Sequence, residues 1–92
     1  MKHINWNTEK SHALKKSRGI SFEDVIFYLE KGDMLDDYRN PNQQKYPGQR
    51  IMVVGINNYA YIVPYIENED EIFLKTIIPS RKATEKYLGG KT

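Results

Sequence analysis

Apolar residues recur at Phe22, Val25, Ile26 and Leu29, the i, i+3, i+4, i+7 spacing of a helix that buries one face. Ser21 precedes them as an N-cap, Asp24 stands at the third helical position as its capping-box partner, and Ile20 and Val25 occupy the two positions of a hydrophobic staple. Lys31 and Gly32 close this helix. Ahead of it the pattern thins. Ile4-Asn5-Trp6 reads as a short extended piece, and Asn7 or Thr8 can cap a first helix that ends at Gly19, a C′ glycine. Its apolar face is narrow, so it should lie on the surface of a sheet.

Beyond Gly32 the period shortens to two. Residues 34–38 form a weak edge strand, and residues 39–48, rich in Asn, Gln, Pro and Gly, form a loop. Three strands follow, over 50–56, 59–66 and 71–78. Asn57-Asn58 suits a two-residue hairpin turn, because Asn tolerates positive φ. Pro64 lacks a ladder donor, so irregular pairing is expected beside it. Pro79 should stop the last strand, and Ser80 can cap a short terminal helix. The expected fold is α+β, a single domain over residues 1–92, with two N-terminal helices on an antiparallel sheet of about four strands and a short C-terminal helix.

The hairpin register sorts side chains onto faces. It sets Ile56 against Tyr59, Val54 against Tyr61, Met52 against Val63 and Arg50 against Tyr65, and the next turn sets Tyr61 against Thr76 and Val63 against Leu74. One face then carries Arg50, Met52, Val54, Tyr61, Val63, Tyr65, Leu74 and Thr76, an apolar middle ringed by polar groups that suits the floor of a binding cleft. The other carries Ile51, Val53, Gly55, Ala60, Ile62, Pro64, Ile66, Phe73, Lys75 and Ile77. It is the more aliphatic, so it is expected to receive the helices.

Composition narrows the function. There is no cysteine, hence no disulfide framework and no thiolate metal site. His3, His12 and the scattered acids match no metal-ligand spacing, so neither metal nor other cofactor is expected. Residues 1–16 contain no apolar run and no segment approaches membrane-spanning length, which predicts a soluble, cytoplasmic protein without a membrane partner. The net charge of +2 argues against a free-standing nucleic-acid binder, but the charge is segregated. Acids collect at 33–37 and 67–71, bases at Lys15-Lys16-Ser17-Arg18 and Arg81-Lys82. A basic face of this kind can bind a polyanion. Arg81 and Lys82 also open a helix at the end where its dipole disfavours cations.

Several motifs carry a family resemblance. A Trp-containing first strand precedes a Lys-rich helix ending in Gly, then Ile20-Ser21-Phe22-Glu23-Asp24. Tyr46-Pro47-Gly48-Gln49-Arg50 leads into a strand, and the chain closes on Ile77-Ile78-Pro79-Ser80-Arg81-Lys82-Ala83-Thr84. The chain resembles the BrnT toxins, small members of the RelE-like ribonuclease superfamily, over nearly its whole length. The resemblance implies metal-independent cleavage of messenger RNA, which inhibits translation and growth. It also implies neutralisation by a cognate antitoxin with a ribbon-helix-helix domain of CopG or BrnA type, through which alone the complex would reach operator DNA. Two departures stand out. Lys16-Ser17-Arg18-Gly19 replaces the Lys-His-Gly that family members commonly carry, and Thr76 stands where they often have arginine.

Metal-free RNA cleavage needs a base for the 2′-hydroxyl, cations for the charge developing on phosphate and an acid for the leaving oxygen. Arg50 is the leading cation, since a guanidinium forks onto phosphate oxygens; its alternative is an ion pair with an acid such as Asp37. Arg81 follows, at the strand end. Glu23 is a candidate base, or an ordinary helix-start acid. Tyr65 is a candidate proton donor, and Tyr61 a stacking platform, against a simple packing role for both. Lys15, Lys16, Arg18 and Lys82 are candidate RNA contacts, and His12 a surface group near the cleft rim. The alternative to an enzyme is a catalytically inactive module that binds the antitoxin and acts in transcriptional autoregulation of its operon.

Overall fold

The computed structural model describes residues 2–89; Met1 and residues 90–92, the ends of the expected 1–92 domain, lie outside the described residues. The chain runs β1 (His3–Asn5), α1 (Thr8–Arg18), α2 (Phe22–Glu30), β2 (Met34–Arg39), β3 (Gln49–Ile56), β4 (Tyr59–Glu67), β5 (Glu71–Leu74), β6 (Ile78–Pro79) and α3 (Arg81–Tyr87).

The helix signals act where the residues put them. Asn7 caps α1 by accepting from Lys10 N at 2.9 Å, and Gly19 ends it in the left-handed region at φ 78°. Ser21 Oγ accepts from Asp24 N while Asp24 Oδ2 accepts from Ser21 N, so the capping box of α2 is complete. Together these bonds satisfy amides that a helix start leaves orphaned. Ser80 caps α3 by accepting from Ala83 N at 3.0 Å.

The β3–β4 hairpin has the expected register, from Ile56 against Tyr59 to Arg50 against Tyr65. Asn57 and Asn58 turn it at φ 53° and 64°, the double positive φ of the turn that matches strand twist. β2 forms the edge beside β3.

The rest of the sheet departs from expectation. Among the described residues it is mixed rather than purely antiparallel and has six strands rather than about four, in the order β1-β5-β4-β3-β2 with β6 also on β4. β1 pairs parallel with β5, Ile4 against Ile72, a long-range contact that no local pattern announces. The single last strand expected over 71–78 is divided into β5 and β6. Pro64 is the cause. It offers β5 no amide, its carbonyl accepts instead from Lys75 N at 2.8 Å, and the register shifts from Tyr65 against Leu74 to Ile62 against Ile78. Thr76 therefore does not face Tyr61, whose partner is Pro79.

The face assignment is also reversed. α1 and α2 cover the face of Met52, Val54, Val63, Tyr65 and Leu74, where Leu14, Phe22 and Val25 complete the main core. Ile77 joins this core too, carried across the sheet plane by the irregular segment after Leu74. Among the described residues, the more aliphatic face of Ile51, Val53 and Ala60 receives α3, through Ala83 and Tyr87 with the following Leu88. Two tyrosines had made the first face look polar, yet their rings pack in the core and only their hydroxyls need a polar partner. The expected cleft floor is thus interior. The open concavity lies on the opposite side, beside α3.

Candidate functional site

β2 carries two adjacent aspartates, and strand alternation sends them to opposite faces. Asp37, opposite Met52, belongs to the α1/α2 side. Tyr65 Oη donates to its two carboxylate oxygens at 2.7 and 2.8 Å. Arg50 Nη2 lies 3.2 Å from Asp37 Oδ1, and Arg50 Nε donates to Tyr65 Oη at 3.1 Å. Burial, then the bond to Asp37, push the Tyr65 hydroxyl up to about 12, while the phenol oxygen and Asp37 raise the Arg50 guanidinium above its ordinary value. Arg50 is half-buried with its guanidinium engaged, so this triad closes the end of the core.

Asp36, opposite Val53, faces the α3 side. Tyr87 Oη donates to Asp36 Oδ2, and Asp37 N donates to Asp36 Oδ1 at 2.8 Å. The Tyr87 bond, with the backbone amide next, holds the Asp36 carboxyl below its usual range; the same bond is the main reason Tyr87 rises to about 12. Around this pair lies a groove of about 440 Å³, whose lining includes Asp36, Tyr38, Lys82, Lys86 and Tyr87. Lys82 and Lys86 stand four residues apart on α3, so one helix face carries both. Lys86 is also near enough to favour the ionised Asp36.

α3 is held against the sheet by its own start. Ser80 N donates to Ala60 O at 3.0 Å, and Thr84 Oγ1 accepts from Ala60 N at 2.8 Å while donating to Ser80 O. The β4 edge beyond β6 is thereby paired, and the lysines sit on a fixed element. A second groove of about 370 Å³ opens further along the same face and shares Ile62 as a wall.

The structure separates the residues singled out in the sequence. Arg50 and Tyr65 lie together in the Asp37 triad, whereas Arg81 is exposed at the start of α3 on the other face and Lys82 lines the α3 groove. Glu23 accepts from the buried Ser11 hydroxyl at 2.7 Å, the main reason its carboxyl lies below the usual range, and that hydroxyl accepts from Phe22 N. This makes Glu23 part of the α1–α2 joint. Tyr61 packs against the main core and against Tyr59. Lys15 pairs with Asp24 at 2.8 Å, and Arg18 donates to the Ile77 carbonyl; Lys16 and His12 are exposed on α1.

Asp36, Tyr38, Lys86 and Tyr87 were missed. The signal for the first two was the alternation of β2, for Lys86 the four-residue spacing from Lys82, and for Tyr87 the same spacing from Ala83. Among the described residues no three His, Cys, Asp or Glu side chains converge into a metal site, and no helix is long and apolar enough to cross a membrane. Comparison of the chain with protein-family models, curated proteins and solved structures finds no significant match.

Proposed function

We propose that this chain is a toxin-type endoribonuclease of RelE-like arrangement, acting in the cytoplasm on messenger RNA and neutralised by a ribbon-helix-helix antitoxin. The observation that carries the reading is the α3 groove. Two lysines, an aspartate and two tyrosines line a concave site on the sheet face that α1 and α2 leave uncovered. These groups match the needs of metal-free RNA cleavage. The 2′-hydroxyl loses its proton to the Asp36 carboxylate as its oxygen bonds to phosphorus. Lys82 and Lys86 neutralise the charge gathering on the phosphate oxygens. The bond from phosphorus to the 5′-oxygen breaks, and the Tyr87 phenol, protonated at neutral pH, supplies the proton to that oxygen. A 2′,3′-cyclic phosphate and a free 5′-hydroxyl result. Arg81 sits beside Lys82 in sequence and extends the positive surface, while Arg50 and Tyr65 serve the fold.

The test is induction of the chain alone, with RNA ends mapped and growth followed. Cleavage that survives EDTA, leaves cyclic phosphate ends and disappears in Lys82→Ala/Lys86→Ala supports the proposal. Intact RNA with unimpaired growth overturns it. The second reading, an inactive module that binds antitoxin and regulates transcription, draws on one observation: Arg50 is committed to Asp37 and Tyr65, and Thr76 offers no guanidinium in its place. Tight antitoxin binding with intact RNA would select it.

A further inference from the structure

The second groove on the α3 side has a different character from the first. Its floor is aliphatic, with Ile51, Ile62, Pro64 and Ile78 among its lining residues. Ile78 is 42% exposed, an uncovered apolar side chain at the point where the last strand is broken. At about 370 Å³ the groove lies at the small end of ligand pockets, roughly 300–1,000 Å³. Its rim is polar and cationic: Lys10 and Lys75 line it, with Tyr46 and the amides of Asn40 and Gln49.

Those amides are fixed. Asn40 Nδ2 donates to Gln49 Oε1 at 2.9 Å, and Asn40 Oδ1 accepts from Asn42 N. The Gln49 amide is thereby oriented, and Gln49 lines the groove. Gln43 Nε2 ties the loop down by donating to the Asn40 and Gln49 carbonyls. An apolar groove, an aromatic ring, an oriented amide and flanking lysines together suit a heteroaromatic ring attached to a phosphate.

We infer that this second groove accepts an unstacked nucleobase of the RNA strand whose phosphate is held by Lys82 and Lys86. The inference rests on the ribonuclease reading and adds a base-selecting subsite to it. Continuity supports it: Ile62 walls both grooves, so a strand crossing Ile62 sets a phosphate by α3 and its neighbouring base over Ile51 and Ile78. Gln49 and Tyr46 act as specificity determinants, contacting the base and taking no part in the reaction.

The experiment is a methyl NMR titration of the intact chain with AMP, GMP, CMP and UMP, with ribose 5-phosphate as the base-free control. Ile51 and Ile78 line this groove and not the α3 groove. Their methyl signals should shift saturably with nucleotides and not with ribose 5-phosphate, and the affinities should differ at least fivefold among bases. Gln49→Ala and Tyr46→Ala should each narrow or abolish that difference. No response at Ile51 and Ile78, or an equal response to ribose 5-phosphate, overturns the inference. So does a response only to an antitoxin peptide, which would make the groove a protein-docking site. RNA cleavage measured in parallel separates the two claims. Cleavage without a methyl response removes the base subsite and keeps the enzyme; a base-dependent response without cleavage keeps the subsite and removes the enzyme.

Discussion

Asp36 and Asp37 are neighbours on one strand and act on opposite sides of the sheet. Asp37 takes the Tyr65 hydroxyl and the Arg50 guanidinium under α1 and α2, while Asp36 takes the Tyr87 hydroxyl beside α3. One dipeptide thus supplies the polar partner of the core and the carboxylate of the candidate site. The two roles are separable by mutation.

Removing Asp37 acts on stability. Asp37→Ala leaves the buried Tyr65 hydroxyl without its acceptor, a loss worth about 1–3 kcal/mol. Tyr65→Phe removes donor and need together and should cost less, ~1 kcal/mol. Urea denaturation of the two variants checks the order. If Asp37→Ala unfolds at the wild-type midpoint, the triad does not hold the core.

Removing cations from the α3 groove acts on RNA binding. Each phosphate contact to a single strand contributes roughly 0.7 to the slope of log affinity against log salt. Lys82→Ala/Lys86→Ala should therefore lower that slope by about 1.4 and leave the denaturation midpoint unchanged. Arg50→Ala should leave the salt slope intact. A slope that falls with Arg50 instead would return the site to the α1/α2 side.

Much of this fold is legible in the residues, for local reasons. Asn57-Asn58 fixes the β3–β4 register, Ser21 and Asp24 fix the start of α2, and Ser80 fixes α3. The assignment of faces failed because hydropathy counts Tyr61 and Tyr65 as polar, when a buried tyrosine needs a partner only for its hydroxyl. β1 against β5 joins residues far apart in sequence and leaves no periodic trace. Pro64 announced an irregularity, but not that it would divide the last strand and carry Ile77 into the main core. For the site, Arg50 with Asp37 was among the pairings the sequence allowed. Arg50 and Arg81, both candidate cations, lie on opposite faces of the sheet, since which face α3 covers follows from the face assignment.

The alkaline limit of stability should carry a tyrosine signature. The folded pKa of Tyr65 is raised from its ordinary value of 10.0 to about 12, chiefly by burial and next by Asp37. A raised folded pKa means that the folded state holds the proton longer than the unfolded one. The associated stability is complete below pH 10 and is lost as pH rises through about 12. Tyr65→Phe should flatten the decline of thermal stability between these limits. At the acid end Asp36 and Glu23 are lowered, each mainly by a hydroxyl donor, Tyr87 and Ser11 respectively. Their contribution is present above the unfolded carboxylate range and falls as pH drops below it. An alkaline decline in Tyr65→Phe as steep as in the wild type would remove Tyr65 as its source.

Thr84 should matter more than an exposed helix threonine ordinarily does. Its hydroxyl accepts from Ala60 N and donates to Ser80 O, so it joins the β4 edge to the first turn of α3. Thr84→Val keeps the shape and removes both bonds. An unpaired amide at the fully buried Ala60 costs about 1–3 kcal/mol. Ser80→Ala removes the cap alone, at ~1 kcal/mol. Both changes loosen the element that carries Lys82 and Lys86, so RNA cleavage should fall in both, further in Thr84→Val. Amide hydrogen exchange at Ala60 reads the cause directly: it should accelerate strongly in Thr84→Val and only slightly in Ser80→Ala. Equal protection in both variants would mean that α3 is held by Ala83, Tyr87 and Leu88 packing alone.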